Sequence, residues 1–265
     1  MNEQFLIYVM NMKTLIFCTF FINLFCCYSQ QQFNYNFYID DTVREGTLFY
    51  NENEDSAVYL DKTSSIKKVN NNKYDDGTET IRASFNGNLD FYFLKKNNEV
   101  LFTYNLLKKN YLVEDKLPKI KWELSSEKKV IENLICYKAT TKFRGRNWTA
   151  WYSPDIPIKY GPWKFYGLPG VIVEIKEDTN RFALTLKSYL LNSNSMVPAI
   201  NLTDLKKISM KKMAEITDEA YDNLLNNLSD SKPGEVRVVL EKSDTNSYTE
   251  AGIESKYEWE DEVTQ

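Results

Sequence analysis

The side chains that could carry acid–base chemistry in this chain are carboxylates, lysines and tyrosines, because the sequence contains no histidine. That absence excludes Ser-His-Asp triads, Cys-His pairs and HExxH zinc sites. GxGxxG and GxxxxGKS/T motifs are also missing, which removes the common phosphate-cradling loops. Asp155 and Glu174 lie near the most distinctive motif, but their isolation favours solvated carboxylates over an acid–base pair. We therefore predict no catalytic residue, no metal site and no cofactor.

Cysteine chemistry is equally restricted. Three of the four cysteines lie in the first 29 residues, which leaves Cys136 alone in the remainder. A single cysteine cannot form an intrachain disulfide, and without histidine it cannot complete the usual zinc ligand sets. We interpret Cys136 as a small buried hydrophobic residue; the alternative, a reactive thiol, would need an exposed, electropositive setting.

The most distinctive stretch is GPWKFYGLPGV, residues 161–171. Its structural positions are Gly161, Pro162, Gly167, Leu168, Pro169 and Gly170. Residues 168–171 predict a type II turn, in which Pro169 presets φ and Gly170 accepts positive φ. An apolar run follows and predicts a buried strand, so the glycines do not open a helix that could bind phosphate.

Aromatic and basic residues around this stretch form the candidate binding site. The predicted lining of an apolar cleft is Trp151, Tyr152, Trp163, Phe165 and Tyr166. Arg144 and Arg146 would flank the cleft and hold a carboxylate or phosphate group. The alternative is that the aromatics fill a buried corner and the two arginines belong to a solvated hairpin turn.

The N-terminus predicts export. Lys13 precedes a short apolar run that ends in small residues near Ser29, as in a secretory signal, and Met12 is a plausible start. The run is interrupted by Asn23 and is shorter than the roughly 20 apolar residues of a membrane span. We predict that residues 1–29 are a signal peptide and that no transmembrane segment remains after cleavage; a retained anchor is the alternative.

Charge argues against nucleic acid as a partner. The formal net charge is −4, and removing residues 1–29 leaves it unchanged because one lysine and one glutamate are lost together. A nucleic-acid-binding surface needs a basic face that replaces the counterions of the phosphates.

Period-two alternation predicts a β-rich fold. Phe33, Tyr35 and Phe37 alternate with polar residues. Two further pairs of apolar segments are each separated by a polar cluster and predict hairpins: 47–50 with 57–60, and 89–94 with 100–104. The segments on either side of residues 144–147 predict a hairpin. The fold class is mainly β (α+β), a curved antiparallel meander or half-barrel.

One helix is predicted from Thr217 to Leu228, with Thr217 as its cap and an apolar stripe that packs on the sheet. Residues 206–213 could form a helical lead-in, and residues 235–240 a last strand. We expect one domain over residues 30–242. The acidic stretch 243–265 is predicted to be a disordered tail.

The motif and its neighbours resemble the GLPGLI family of exported bacterial proteins. The resemblance runs through residues 136–139, 144–146, 150–152, 156–158 and 161–172, and one departure is Val171 in place of the family's second leucine. It implies an exported β-rich protein of envelope-bearing bacteria, often encoded near outer-membrane receptors, and it implies no particular reaction.

Three functions remain open from the sequence. The first is a non-enzymatic binding or accessory protein of the periplasm or outer envelope that holds a lipid or peptide. The second is an interaction module that an outer-membrane receptor recognises. The third is an enzyme that uses carboxylates, which a close, buried carboxylate pair would favour.

Overall fold

The structure is a computed structural model that describes residues 30–40, 42–62, 91–96, 98–106, 109–193, 197, 202–229 and 253–260. Within these ranges, twelve strands form one sheet. The strands are β1 (Gln30–Ile39), β2 (Thr42–Asn51), β3 (Ser56–Lys62), β4 (Phe91–Lys96), β5 (Glu99–Leu106), β6 (Lys109–Lys116), β7 (Glu123–Ile131), β8 (Leu134–Phe143), β9 (Arg146–Ser153), β10 (Val171–Glu177), β11 (Phe182–Ser193) and β12 (Lys206–Ser209).

The sheet consists of two meanders laid side by side. Its strand order is β12-β6-β5-β4-β3-β2-β1-β11-β10-β9-β8-β7. Strands β1 to β6 follow one another in space, as do β7 to β11, and the two sets meet where β1 pairs antiparallel with β11. β12 adds to β6 in parallel. The predicted mainly β, antiparallel fold class is confirmed, and across the described strands the sheet is open rather than closed into a barrel.

Alternating burial explains why these segments are strands. Phe33, Tyr35 and Phe37 are buried on β1, whereas Asn34 and Asn36 between them are partly exposed. Successive side chains of a strand point to opposite faces, so this pattern lays a continuous apolar row on one side of the sheet. The predicted hairpins at β2–β3, β4–β5 and β8–β9 are all present.

The sheet curves around the connection between β9 and β10. This connection, residues 154–170, contacts β4 through Lys95 and β5 through Phe102, and it also packs on Trp148 of β9. Strands β4 and β9 are far apart in the strand order, so the sheet must bend to bring both against one connection. The residues that define the predicted motif therefore lie inside the bend, where they form part of the core.

The helix differs from its prediction at its N-terminal end. The helix α1 runs from Met210 to Ser229, and β12 occupies the first half of the expected helical lead-in at 206–213, while its second half is helical. The Ser209 hydroxyl accepts from the Lys212 amide at 3.2 Å and acts as the cap that was assigned to Thr217. Thr217 is interior to the helix, where its hydroxyl donates to the Met213 carbonyl at 2.7 Å. Sequence pattern missed this first part because its spacing is compatible with either element.

The helix packs on a smaller part of the sheet than predicted. Its main contacts are with β6 and β12, at one end of the strand order, through a buried stretch that includes Met210, Met213 and Ala214. The predicted last strand at 235–240 and the predicted signal peptide at 1–29 lie outside the described residues. None of the helices in the described part of the chain is both long and apolar enough to cross a membrane.

The prediction of a disordered tail is wrong for residues 253–260. This stretch, the C-terminal segment, packs on the turn between β8 and β9 and ends in a 3-10 turn at Glu258–Glu260. Tyr257 and Glu254 are buried within it. The acidic composition suggested a solvated chain, but Ile253, Tyr257 and Trp259 supply apolar contacts and the glutamates find buried cations.

Candidate functional site

A tight hairpin organises the GPWKFYGLPGV stretch. Gly161 donates its amide to the Phe165 carbonyl at 2.9 Å, and Phe165 donates to the Pro162 carbonyl at 3.2 Å. Tyr160 and Tyr166 form an isolated antiparallel bridge just outside this turn. Trp163 sits within the turn at φ 49°, a strained region for a bulky aromatic residue. The surrounding packing must hold this conformation, and the turn projects three consecutive side chains into the protein.

Trp163 and Phe165 lie in the core and do not line an open cleft. Phe165 packs edge-on to Trp148, with ring centroids 4.8 Å apart, and to Trp163 at 5.1 Å. Both rings also contact Phe143, at centroid distances of 6.0 Å. The prediction of an aromatic cleft is therefore corrected: these side chains fill the bend of the sheet, as the alternative interpretation stated.

The other predicted aromatic residues are dispersed. Tyr152 is buried on the same face of β9 as Trp148, whereas Trp151 points to the opposite face, where the Lys129 ammonium lies 4.2 Å from its ring. Tyr166 is partly exposed, and its hydroxyl donates to the Pro118 carbonyl at 2.7 Å. The five aromatics consequently do not share one surface, because alternation along β9 separates Trp151 from the rest.

The predicted type II turn at 168–171 is also corrected. Gly170 does not adopt positive φ; Gly167 does, at φ 92°. Gly170 is required for another reason, because a Cβ at this position would lie 2.1 Å from the Ser153 carbonyl oxygen. Gly170 permits close approach between the start of β10 and the end of β9. The positive φ that requires a glycine is found three residues earlier, at Gly167.

Lys95 of β4 fastens the turn from the other side of the bend. Its ammonium nitrogen contacts the Gly161 carbonyl and lies 3.2 Å from the Phe165 carbonyl. Lys95 is only 2% exposed, and burial holds the pKa of its amine well below 10.5. Both protonation states of the amine offer at least the two N–H donors that the two carbonyls require. Lys95 therefore holds the turn by hydrogen bonds to the main chain.

Lys164, at the tip of the same turn, lies at the centre of a buried charge cluster. Its Nζ is 2.7 Å from Asp115 Oδ2 and 2.8 Å from both carboxylate oxygens of Glu254. The Lys164 side chain is 1% exposed, and the Phe102 ring centroid lies 4.5 Å from the ammonium. Lys164 therefore ties β6 to the C-terminal segment across the bend of the sheet.

Arg144 is the second cation of this cluster. Its guanidinium lies 2.8 Å from Asp115, 3.3 Å from Glu254 and 3.0 Å from Glu258. Arg144 and Gly145 both adopt positive φ in the two-residue connection between β8 and β9, which is the pattern of a type I′ hairpin. Arg144 is thus buried rather than in a solvated turn, and the carboxylates that it binds in this structure belong to this chain.

Arg146 lies apart from this cluster. Its guanidinium is 3.5 Å from the Glu177 carboxylate and 4.9 Å from the Phe182 ring centroid. Arg144 and Arg146 are therefore not a pair that flanks one ligand, because they engage different carboxylates on different elements.

Neighbouring charges keep Asp115 and Arg144 of this cluster ionised. Burial would raise the pKa of Asp115, but Lys164 and Arg144 outweigh burial and lower it. Burial would lower the pKa of Arg144, but Glu254, Asp115 and Glu258 outweigh burial and raise it. Glu258 is 44% exposed, and the desolvation it does suffer raises its pKa despite the neighbouring Arg144. Asp115, held as an anion in this way, does not carry a proton to transfer near neutral pH.

Sequence reasoning missed Asp115, Lys164 and Glu254 as members of one cluster. They lie on β6, on the turn and in the C-terminal segment, and spacing along the chain cannot bring such distant positions together. One signal was present in the tail: Tyr257 and Trp259 are large aromatics within an acidic stretch, and their rings stack at 4.5 Å. Aromatics of this size usually mark a segment that buries apolar surface.

The close, buried carboxylates Asp115 and Glu254 are the feature that would favour an enzyme. Both lie on one ammonium, but Lys164 and Arg144 neutralise them and the C-terminal segment covers them. Glu174, considered from the sequence as a catalytic carboxylate, pairs with Lys129 at 3.3 Å and Lys176 at 3.5 Å. Asp155 is exposed at the turn after β9. Among the described residues, no acidic or cysteine cluster has the composition of a metal site.

Two pockets among the described residues are open grooves away from the motif. One, of about 210 Å³, is lined by polar residues of β1, β2 and β11, including Asn34, Thr47 and Lys187. The other, of about 320 Å³, lies along β8 and β9 beside Thr140 and Asn147. Neither is bordered by Trp151, Trp163 or Phe165, so neither provides the predicted apolar cavity.

Comparison with known proteins finds a family model that matches the region of the motif. Residues 142–174 match the family model described as Porph_ging, a protein of unknown function. This match covers the β8–β9 turn, the motif and the start of β10, and it fits an uncharacterised bacterial family. No curated protein matches the chain.

Solved structures show distant similarity. PNGF-II in its P21 crystal form is 15% identical with a TM-score of 0.48, over 72% of this chain and 34% of PNGF-II. Its C2 form gives a TM-score of 0.49 at 15% identity, over 72% of this chain and 33% of PNGF-II. This chain thus spans about a third of the length of PNGF-II. An uncharacterised conserved protein from Thermus thermophilus is 8% identical with a TM-score of 0.38, over 69% of this chain and 91% of that protein.

Proposed function

We propose that this protein is an exported, non-catalytic interaction module of the bacterial envelope. The predicted signal peptide supports export, and the internally neutralised charge cluster supports a structural rather than a catalytic role for the buried ionisable groups. A carrier of an apolar ligand is less well supported, because the aromatics that would line its cavity are packed against one another in the core.

The observation that carries the proposal is an exposed apolar strip at one end of the sheet. Leu124 is 59% exposed, Val130 70% and Ile135 49%. Val130 lies directly opposite Ile135, so these two side chains share one face of the sheet. Leu124 lies further along β7, opposite the buried Ala139 of β8. We call these three residues the edge strip. Soluble proteins usually cover such a group of large apolar side chains, and one left open marks a contact surface.

Features of β7 indicate how a partner would dock. β7 ends the order of the described strands, so no described strand pairs with its outer edge. However, its register shifts between Leu124 and Lys128, and Glu127, Lys128 and Lys129 are charged and exposed. Irregularity and charge are the devices that prevent a further strand from adding to an edge. The partner is therefore expected to lie on the face of the edge strip, as an envelope protein with a complementary apolar patch.

Site-specific photo-crosslinking in the native host tests this proposal. A photoreactive phenylalanine analogue replaces Ile135 in one variant and Leu190, which is 55% exposed on β11, in the matched control. We expect a discrete crosslinked adduct in the envelope fraction from position 135 and none from position 190. Equal crosslinking from both positions, or none from position 135 with the protein present in that fraction, would refute the assignment of the strip.

Fractionation and N-terminal sequencing test the export component separately. The mature protein should be recovered from the periplasm, envelope or medium with an N-terminus near residue 30, since the signal is expected to end at Ser29. Recovery of the uncleaved chain from the cytoplasm would contradict the proposal, whatever the crosslinking shows.

A further inference from the structure

The C-terminal segment is held mainly by side chains rather than by the sheet. A main-chain hydrogen bond joins it to the body of the protein, from the Ser255 amide to the Arg144 carbonyl at 2.9 Å. Its residues belong to none of the twelve described strands. Segments bound in this way are anchored at a few points, which is typical of a docked peptide rather than of a core strand.

The anchor points of the segment are acidic and aromatic. The Lys164 ammonium donates to both carboxylate oxygens of Glu254 at 2.8 Å, and Glu258 lies 3.0 Å from Arg144 Nε. Between them, the Tyr257 ring centroid lies 5.2 Å from the Arg144 guanidinium carbon. These three residues therefore match two cations on the body. The first carboxylate, of Glu254, meets Lys164; the aromatic ring and the second carboxylate, three and four residues later, meet Arg144.

The groove beneath the segment has its own internal organisation. Asp115 of β6 holds Lys164 at 2.7 Å and Arg144 at 2.8 Å without help from the segment. The Phe102 ring centroid lies 4.5 Å from the Lys164 ammonium, and the Phe143 ring centroid lies 5.8 Å from the Arg144 guanidinium carbon. Two cations beside one body carboxylate leave a net positive groove with aromatic walls, which favours an acidic ligand over a neutral one.

The β8–β9 turn provides space for a peptide backbone. A Cβ at Gly145 would lie 2.3 Å from Ser255 Oγ and 2.8 Å from the backbone nitrogen of Lys256. Gly145 also adopts φ 80°, so its conformation alone would favour glycine. Gly167 separates the two effects: its φ is 92°, but a Cβ there meets nothing nearer than Trp122 at 3.9 Å.

We propose that the groove formed by Arg144, Lys164 and Asp115 is a recognition site for an extended acidic–aromatic peptide. Residues 253–260 are its ligand in cis. The same groove takes a partner's segment of this pattern, with Glu, Tyr and Glu at relative positions 1, 4 and 5, when the chain's own segment leaves. This site is separate from the edge strip and does not rest on the crosslinking outcome.

The test uses the full chain with a protease site inserted between residues 243 and 250. The probe is a fluorescently labelled peptide of residues 253–260. Its binding is measured by fluorescence anisotropy before and after cleavage of the chain. We expect no binding to the intact chain, because the covalently attached segment competes, and saturable binding after cleavage and size-exclusion chromatography. A probe carrying Glu254→Gln should bind about 10- to 100-fold more weakly, since it loses a charge-assisted contact to a buried ammonium.

Glycine variants of the cleaved chain provide the matched control. Gly145→Ala and Gly167→Ala both place a Cβ at positive φ, but only the first occupies the path of the segment. The proposal requires Gly145→Ala to weaken probe binding at least about tenfold more than Gly167→Ala does, because the new methyl group clashes with the peptide backbone. Equal effects of the two substitutions would show that the peptide does not pass over Gly145 and would overturn the proposal.

Two further outcomes would overturn the proposal. A cleaved chain that unfolds and is not restored by the probe would show that residues 253–260 are an integral part of the core. A cleaved chain that stays folded but retains its fragment against excess probe would show the same. In the intact chain, the Ser255 amide should exchange its hydrogen faster than the amides of β8 and β9; exchange only through global unfolding would contradict a detachable segment.

Discussion

Replacing Lys164 with methionine would remove the ammonium and keep most of the aliphatic volume. The wild-type ammonium contacts Asp115 at 2.7 Å and Glu254 at 2.8 Å, and its side chain is 1% exposed. After the substitution Asp115 retains Arg144 at 2.8 Å, whereas Glu254 retains only the longer 3.3 Å contact to that arginine. The variant therefore leaves a buried carboxylate with too little compensating charge.

The expected loss is large because solvent cannot replace the missing contact. Removing one partner of a buried ion pair costs about 3–5 kcal/mol in the free energy of unfolding. For a domain of this size, each 1 kcal/mol lowers the midpoint of thermal unfolding by about 2–4 °C, so the variant should melt about 6–20 °C below the wild type. Glu254→Gln in the Lys164→Met background should recover part of the loss, because it removes the uncompensated charge.

Urea unfolding followed by tryptophan fluorescence at neutral pH measures this loss. The control is Lys187→Met, which breaks the Lys187–Glu45 pair at a similar distance, 2.9 Å, but between side chains that are 54% and 62% exposed. That surface pair should contribute no more than about 1 kcal/mol. A Lys164→Met variant that loses as little free energy of unfolding as Lys187→Met would refute the description of the cluster as buried and interdependent.

Three other perturbations test separate features. Gly170→Ala should cost about 2–4 kcal/mol in thermal unfolding, because its Cβ would lie 2.1 Å from the Ser153 carbonyl oxygen; a neutral result would show that β9 and β10 can separate there. Burial holds the pKa of Lys95 in the folded protein well below the ordinary 10.5. Between the lowered pKa and 10.5, the unfolded chain binds a proton that the folded chain does not, so the free energy of unfolding rises with pH in that range. Lys95→Met should flatten that rise in urea titrations up to pH about 10.5, and an unchanged slope would mean that the amine stays charged in the folded state. Burial also raises the pKa of the Cys136 thiol, so a disulfide reagent should label it on the order of a hundredfold more slowly in native protein than in urea, and rapid native labelling would contradict its burial.

The strands were predictable because burial of one face of a strand produces alternating apolar and polar residues in the sequence. On β9, Trp148, Ala150 and Tyr152 are buried and Trp151 is less so, which is the alternation that the residues indicate. Cys136 is buried with no exposed surface, as its hydrophobic interpretation predicted. Both conclusions require information only from neighbouring positions, and period-two alternation supplies it.

The candidate site was less predictable because its members are brought together by curvature. Arg144 was recognised as a residue that would hold carboxylates, but its partners are Asp115, Glu254 and Glu258, which no spacing rule connects to it. Local signals also misled at Gly170, where Pro-Gly suggests a type II turn but the glycine serves close backbone approach. Tertiary contact decides between such alternatives, and a single sequence does not contain it.

The seam between β1 and β11 has a consequence for the rate of folding. β1 can pair with β2 as soon as residue 51 is available, but its pairing with β11 joins positions such as Phe37 and Leu184, across most of the described chain. Closing so long a loop is entropically costly and delays the contact until the intervening chain is organised. Each meander can form from contacts between consecutive strands, and their joining then becomes the slow step. Substitutions at the seam should therefore accelerate unfolding more than they slow folding, whereas substitutions within a hairpin should do the reverse.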